Sequence, residues 1–272
     1  EALQEVADYL YMKNVDGAME LMNNMELQYA KLVDDLFPEA KKNTEMKKVV
    51  ESYSSVIRET AKELFTKYEE KIIIAQGELL ISELFVSYLN TLGVKAVHLN
   101  SLDFMKTDKN DEPDAKFIKE SLSKLMEENK SADTFVTEGF ICRNAYGEVE
   151  NFGVGGSDYS ATLIGVAAQA QEVILWSDTY GIYDSDPTIV QNARPVKSLT
   201  FDETAELSYF LDRVIHPMSI LPAKLANMPI RLKNVMSPDS EGALVSSEMP
   251  NGQVKAIAAK DGITMIKIKS VR

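Results

Sequence analysis

A glycine-rich turn between a strand and an apolar helix is the feature that most constrains this fold. Residues 149–152 are typical of a short strand, three glycines lie within residues 153–156, and residues 159–170 are typical of a helix. Glycine has no Cβ atom, so the backbone can approach a ligand closely. Free amides and the positive dipole end of a helix favour an anion, most often phosphate. We predict a hairpin that ends at the glycines, followed by a helix that starts at Ser157. The alternative is a plain turn capped by Ser157 or Asp158.

Helix and strand patterns alternate along the rest of the chain. Helix patterns cover residues 15–37, 46–68, 77 onward, 114–128, 200–213 and 217 onward, and strand patterns cover residues 94–99, 134–137, 172–176 and 230–233. Residues 71–75 are ambiguous and lead into the helix predicted to begin near Gly77. The order of elements predicts an α/β, three-layer sandwich with a mostly parallel sheet.

Composition excludes some classes of protein. A net charge of -13 disfavours nucleic-acid binding, because a polyphosphate partner requires a basic face. The single cysteine, Cys142, cannot form an internal disulfide and suits a reducing compartment. No stretch resembles a signal peptide or approaches the ~20 apolar residues of a membrane span. We therefore expect a soluble, cytoplasmic protein without nucleic-acid or membrane partners.

Several blocks in a fixed order resemble a known family. They are Gln76–Leu80, Leu102–Thr107, Thr137–Ile141, Gly153–Ala161, Ile174–Asp178, Gly181–Pro187, Ile215–Pro217 and Ile230–Asn234. Together they resemble the aspartokinases, enzymes of the amino-acid-kinase fold that phosphorylate the side-chain carboxylate of aspartate. Residues 102–107, followed by Glu112-Pro113-Asp114, are most similar to the single-function, lysine-sensitive branch.

The resemblance implies an acceptor site for L-aspartate. In the family, Asp158 is the catalytic residue that orients a phosphate-side lysine, and Ser157 and Gly156 contact the substrate. Glu78 receives the α-ammonium group, and Phe140 lines the amino-acid pocket. From the sequence, Glu78 lies at a helix start, where the dipole also favours a carboxylate.

The resemblance also implies a nucleotide site and the cofactors ATP and Mg²⁺. The residues assigned to it are Ser177, Asp178, Tyr183, Asp186, Lys233 and Asn234. No metal site made of protein ligands alone is expected. His216 precedes a proline and is interpreted as a structural hydrogen-bonding residue. The sequence around His98 gives no indication of a functional role. We expect no covalent catalysis.

Five positions depart from the family pattern. Val154 stands where aspartokinases have an arginine that holds the aspartate α-carboxylate. Thr188 stands where they have an arginine that faces the nucleotide phosphates. Leu211-Asp212 replaces a small Gly-Ala pair, and Val235 replaces a hydroxyl residue. Valine cannot replace a planar, bidentate cation. Two hypotheses therefore stand: an aspartate kinase core that feeds lysine, threonine and methionine synthesis, or an impaired module of the same fold that binds a nucleotide or an amino-acid effector.

Domain organisation is predicted from the same resemblance. Residues 1–247 are expected to form the catalytic domain, without the first strand and its lysine-rich loop. Residues 248–272 are expected to begin an ACT-like regulatory domain. The resemblance further implies lysine as a feedback effector and a homodimer of the full-length protein.

Overall fold

The computed structural model divides the chain into two compact units, Glu1–Ser157 and Asp158–Arg272. It describes residues 2–62, 64–178, 182–186, 189–210, 215–248, 254–259 and 262. Each unit has its own helices, strands and apolar core.

Four helices occupy the first part of the chain. They are α1 (Ala2–Tyr11), α2 (Val15–Leu36), α3 (Ala40–Thr60) and α4 (Lys67–Thr91). Apolar residues at spacings of three and four give these helices faces that pack into shared clusters. The helix predicted at 15–37 is confirmed. The one predicted at 46–68 is α3, which begins earlier and ends before α4 starts.

The fourth helix begins at Lys67, so the start predicted near Gly77 is wrong. Its N-terminus is a capping box, in which two side chains satisfy free amides of the first turn. The Thr66 hydroxyl accepts a hydrogen bond from the Tyr68 amide (3.2 Å), and the Glu69 carboxylate accepts one from the Thr66 amide (2.8 Å). These caps fix the start of the helix, so the ambiguous run at 71–75 is helical. Gly77 therefore lies in the middle of α4.

Two small sheets complete the first unit. Strand β1 (Ala96–His98) pairs in parallel with β2 (Thr134–Val136), and α5 (Ala115–Glu128) connects them. Strand β3 (Ile141–Arg143), which the sequence did not reveal, forms an antiparallel hairpin with β4 (Val149–Asn151). Such three-residue strands give little periodicity from which to predict them.

Helix α4 is also long and apolar enough to cross a membrane, the one such helix within the described residues. This finding corrects the expectation that no stretch of the chain approaches a membrane span. The helix packs against α1, α3, β1 and β4, and 44% of its most apolar window is buried. These contacts favour a core helix of a folded domain.

The second unit is built on a four-stranded sheet. Helix α6 (Gly156–Ala167) leads into this unit, which contains β5 (Val173–Ser177), β6 (Ser198–Thr200), α7 (Phe201–Phe210), α8 (Pro217–Leu225), β7 (Ile230–Asn234) and β8 (Ala243–Ser246). The strand order is β5-β7-β8-β6, with β5/β7 and β6/β8 parallel and β7/β8 antiparallel. The predicted capping box of α7 is confirmed. The Glu203 carboxylate accepts a hydrogen bond from the Thr200 amide, and the Thr200 hydroxyl accepts one from the Glu203 amide. Strands β6 and β8 were not predicted.

The segment predicted to begin a regulatory domain is part of the second unit and bonds to earlier residues of that unit. The Ile257 amide donates to the Asp184 carbonyl and the Lys255 Nζ to the Ser198 carbonyl, both at 2.9 Å. Residues 254–259 form neither helix nor strand, and residues 260–261 and 263–272 lie outside the described residues. The domain boundary at 247/248 stays a prediction.

The α4 capping box yields a test of the fold. Thr66→Ala should lower the free energy of unfolding by about 1 kcal/mol, because amides at the helix start lose their partner. Urea denaturation followed by circular dichroism measures the loss. Thr44→Ala is the control: its exposed hydroxyl bonds only to the Ala40 carbonyl within α3 (2.8 Å). Equal losses in the two variants would contradict the capping role.

Candidate functional site

Two loops of the first unit pack together where side chains would not fit. A Cβ atom on Gly139 would lie 3.0 Å from the Ser157 Cα, and one on Gly156 would lie 3.0 Å from the Phe140 ring. The Phe152 amide donates to the Phe140 carbonyl (2.9 Å). The loop at 137–140, here called the acceptor loop, therefore lies directly on the glycine turn, residues 153–157.

The glycine turn has the conformation that its sequence predicts. Gly153 and Gly155 have positive φ values of 69° and 74°. These values fall in the left-handed region that favours glycine. The Gly156 amide closes the turn on the Gly153 carbonyl (3.0 Å), and α6 begins at Gly156, one residue before the predicted start. The strand–turn–helix order is confirmed, and the first amides of α6 have no partner within the helix itself.

Glu78 lies on α4 beside the same loops. Burial, and then the neighbouring charge of Glu138, raises the pKa of Glu78. Its assignment to a helix start is wrong, because it lies in the middle of α4, so its environment is set by packing rather than by the dipole. Phe140 packs against an apolar cluster that contains Leu79, the next residue of the helix. The predicted acceptor residues Glu78, Phe140, Gly156 and Ser157 are thus brought together within one unit.

An ion pair that the sequence did not reveal lies behind the acceptor loop. His98 Nε2 contacts the Glu138 carboxylate, whose second oxygen accepts the Ser101 amide (2.8 Å). The hydrogen bond to Glu138 raises the pKa of His98 although burial opposes it. Burial disfavours the ionised form of Glu138, but the bonds from His98 and Ser101 outweigh it and lower its pKa. The sequence did contain an indication of this pair. His98 ends β1 and Glu138 follows β2, and the carboxyl ends of adjacent parallel strands lie at the same edge of a sheet.

Asp158 lies in the first turn of α6. Burial raises the pKa of this carboxyl, and the charge of His216 acts in the opposite direction. His216 caps α8, its Nδ1 accepting the Met218 amide (3.3 Å), which confirms its structural role. The half-buried Asp158 is suited to orienting a cation, the function implied by the family resemblance.

In the second unit, four predicted nucleotide residues meet at the ends of two neighbouring strands. Ser177 of β5 and Asn234 of β7 are register partners, and Asp178 and Lys233 adjoin them. The carboxyl ends of parallel strands are where α/β folds bind ligands. Lys233 Nζ lies 4.9 Å from the centre of the Trp176 ring, a contact that the sequence did not reveal. The Asn234 Oδ1 accepts the Met236 amide (2.6 Å), while its buried Nδ2 has no hydrogen-bond partner among the described residues.

Tyr183 and Asp186 lie on a separate loop of the second unit. Ile182 anchors this loop in the core that also contains residues of β5 and β7. Tyr183 bridges to Pro195, and the Asp186 carbonyl accepts the amides of residues 189 and 190 (3.0 and 2.8 Å). The roles assigned to these two residues stay predictions.

Val154, at the position of the family arginine, is 88% exposed on the glycine turn, and Val235 is 50% exposed after β7. Thr188 and Leu211-Asp212 lie outside the described residues. The described part of the chain contains no group of three or more His, Cys, Asp or Glu side chains that could hold a metal ion. Proteins usually hold Mg²⁺ by one or two carboxylates together with substrate phosphates. The exposed Asp178 is a carboxylate of that kind.

Known proteins were compared with this chain. A family model described as "Amino acid kinase family" matches residues 15–234. Aspartokinase 1, chloroplastic, of Arabidopsis thaliana is 36% identical over 208 residues, covering 74% of this chain and 37% of that protein. Lysine-sensitive aspartokinase 3 of Escherichia coli (strain K12) is 31% identical over 205 residues, covering 73% and 45%. The chain thus spans less than half the length of these curated relatives.

Solved structures match as well. The structure of E. coli aspartokinase III in complex with aspartate and ADP gives a TM-score of 0.76 at 27% identity, covering 92% of this chain and 56% of that one. Its complex with lysine and aspartate gives the same TM-score at 26% identity. These matches confirm the predicted α/β fold of the amino-acid-kinase type. The ACT-like continuation stays a prediction.

Cys142 provides a test of the local packing. The side chain is fully buried in β3, and burial raises the pKa of its thiol to about 12 from 9.0. At pH 8 the reactive thiolate should be about a thousand times scarcer than in the unfolded chain. Ellman's reagent should label the unfolded protein within seconds and leave the native protein unlabelled for hours. Rapid labelling of the native protein would contradict the burial of β3.

Proposed function

This chain belongs to the amino acid kinase family, and from this premise we propose that it is the kinase core of an aspartokinase. It transfers the γ-phosphoryl group of ATP to the side-chain carboxylate of L-aspartate. The products are 4-phospho-L-aspartate and ADP, in the first step of lysine, threonine and methionine synthesis. The observation that carries the proposal is the packing of the acceptor loop on the glycine turn beside Glu78.

The acceptor residues of the first unit bind and orient aspartate. Glu78, half-buried on α4, accepts hydrogen bonds from the α-ammonium group, a charge-assisted contact. An ammonium ion beside Glu78 offsets its burial and the nearby charge of Glu138, so binding lowers the pKa of Glu78 towards its usual range. Phe140 covers the methylene group of the substrate. The Ser157 side chain hydrogen-bonds to a polar group of the substrate. The free amides of the glycine turn face the group that is transferred.

The nucleotide residues of the second unit hold ATP at the ends of β5 and β7. The Asp178 carboxylate accepts hydrogen bonds from the ribose hydroxyls, and the Ser177 hydroxyl donates one to the ribose. Tyr183 and Asp186 contribute from their separate loop. Lys233, held over the Trp176 ring, supplies a cation, and the free Nδ2 of Asn234 supplies a donor. When bound, Mg²⁺ neutralises phosphate charge, and Asp178 is the carboxylate of this chain that would help to hold it.

Positioning and charge account for the reaction. One oxygen of the aspartate carboxylate attacks the γ-phosphorus as the bond to the β-phosphate oxygen breaks, and ADP leaves with that electron pair. The carboxylate needs no general base because it is ionised at neutral pH. Asp158 orients a phosphate-side cation, so it contributes by placing charge rather than by transferring a proton.

Partners and regulation extend the proposal. The solved relatives include complexes with aspartate and ADP and with lysine and aspartate. We propose aspartate and ATP as substrates and lysine as the feedback effector of the full-length protein. Assembly as a homodimer and a cytoplasmic location belong to the same proposal.

A coupled assay tests the function directly. The protein should consume ATP and form an aspartyl phosphate, trapped as the hydroxamate, only when aspartate and Mg²⁺ are both present. Asp178→Ala should raise the KM for ATP about tenfold, because a charged hydrogen-bonding partner is lost, with the KM for aspartate nearly unchanged. Asp202→Ala is the control: it removes an exposed carboxylate of α7 that contacts Lys224, and it should leave both KM values unchanged. A thermal shift with nucleotide but no turnover would instead support an impaired nucleotide-binding module.

Val154 provides the sharpest test of the acceptor pocket. Val154→Arg should restore a planar fork for the aspartate α-carboxylate and tighten aspartate binding about tenfold. The gain is limited because the side chain is 88% exposed, and water screens such a pair. Calorimetric titration of aspartate in the presence of a nucleotide analogue measures it.

The matched control places the same charge on another part of the first unit. Val56→Arg adds an arginine to α3, where Val56 is 39% exposed, and should leave aspartate binding unchanged. An equal gain in both variants would indicate a general charge effect. No gain in a folded Val154→Arg protein would mean that the pocket no longer recognises an α-carboxylate.

A further inference from the structure

The carboxylate of Glu138 is buried deeply for a charged group. Its side chain is 0% exposed, and both oxygens are engaged: one contacts His98 Nε2, and the other accepts the Ser101 amide at 2.8 Å. A buried charge is costly unless it is paired and hydrogen-bonded. His98 ends β1, and Glu138 follows β2, so the contact ties together the ends of two paired parallel strands.

Glu138 also immediately precedes the tightest part of the acceptor loop. Gly139 follows it with no room for a Cβ atom against Ser157. Phe140 has a positive φ of 68°, which is unusual for a bulky residue. The Ile141 amide returns to the Gly139 carbonyl at 2.7 Å. A backbone in such a conformation persists only where its surroundings hold it, and the paired carboxylate is the charged anchor of this loop.

We propose that the His98–Glu138 ion pair is a positioning device that holds the acceptor loop against the glycine turn in the arrangement that receives aspartate. This role rests on the proposed kinase function and extends it to two residues behind the substrate pocket. His98 and Glu138 act through Gly139 and Phe140 and do not touch the reacting atoms. Their loss should therefore weaken binding of the acceptor and leave binding of the nucleotide unchanged.

The charges that face the pair set its pH dependence. His98 is influenced by Glu138 and also by Glu83 of α4 and Asp103, all of which favour its charged form. Glu78 faces Glu138 from α4, and the Tyr53 hydroxyl of α3 donates to Glu83 at 2.6 Å. The pKa of His98 lies above 6.5 and that of Glu138 below 4.5, so the pair is fully charged between these values. It loses a charge as the pH rises through the pKa of His98.

The test compares Glu138→Gln, His98→Gln and the double variant with the unmodified protein. In Glu138→Gln the KM for aspartate should rise about tenfold and that for ATP less than about twofold. In the unmodified protein the KM for aspartate should rise with pH through the pKa of His98, and in each variant this step should vanish. The double variant, with two neutral amides, should recover part of the affinity but not the pH step.

Hydrogen exchange provides a readout that does not require activity. Glu138→Gln should speed hydrogen exchange of the amides of Ile141 and Phe152. These amides donate to the carbonyls of Gly139 and Phe140 in the acceptor loop. The matched control is Glu26→Gln, which breaks the partly buried Arg58–Glu26 pair between α3 and α2 (2.9 Å). It should lower stability without changing exchange in the loop or the KM for aspartate.

The outcomes separate the two proposals. If the unmodified protein neither binds nor phosphorylates aspartate, the proposed function fails, and loop exchange alone then decides whether the pair positions the loop. If the unmodified protein is active but Glu138→Gln keeps its aspartate KM, its pH step or its loop protection, the positioning role is overturned. The same change in Glu26→Gln as in Glu138→Gln would also overturn it, because the effect would then reflect general destabilisation.

Discussion

The close approach of two backbones is the constraint on which the first unit depends. Gly139 and Gly156 sit where an added Cβ would meet Ser157 or Phe140 at 3.0 Å, so only glycine fits without displacing a neighbour. The contact sets the start of α6 and the orientation of its free amides. It also accompanies the left-handed conformation of Phe140, which the rest of the loop must stabilise. The turn proposed to face phosphate and the proposed amino-acid pocket thus depend on one packing contact.

Much of this arrangement could be predicted from the sequence, for identifiable reasons. The glycine turn, the α7 capping box, the His216 cap and the strand ends at Ser177 and Asn234 depend on local chemistry that neighbouring residues reveal. The family resemblance supplied the α/β fold that the solved relatives confirm. Local signals serve well where a few adjacent residues decide the conformation.

The errors arose where distant residues decide the outcome. Glu78 was assigned to a helix start because β-branched residues precede it, whereas the capping box at Thr66 begins α4 further upstream. The His98–Glu138 pair joins residues 40 positions apart, which the parallel pairing of β1 with β2 brings together. Strands β3, β6 and β8 contain only three or four residues, too few for periodicity to identify. Their partners, not their own sequences, make them strands.

One contact of the second unit links the nucleotide loop to the polypeptide that follows the sheet. The Asp184 carbonyl accepts the Ile257 amide, and the Asp184 carboxylate and amide bond to Arg194, so one residue connects three segments. Asp184 lies between Tyr183 and Asp186, the two residues assigned to that loop. A displacement of the chain around Ile257 must either break the bond or pull Asp184 with it. The segment is therefore a mechanical linkage, through which the position of the polypeptide around Ile257 can set the position of the loop that carries Tyr183 and Asp186.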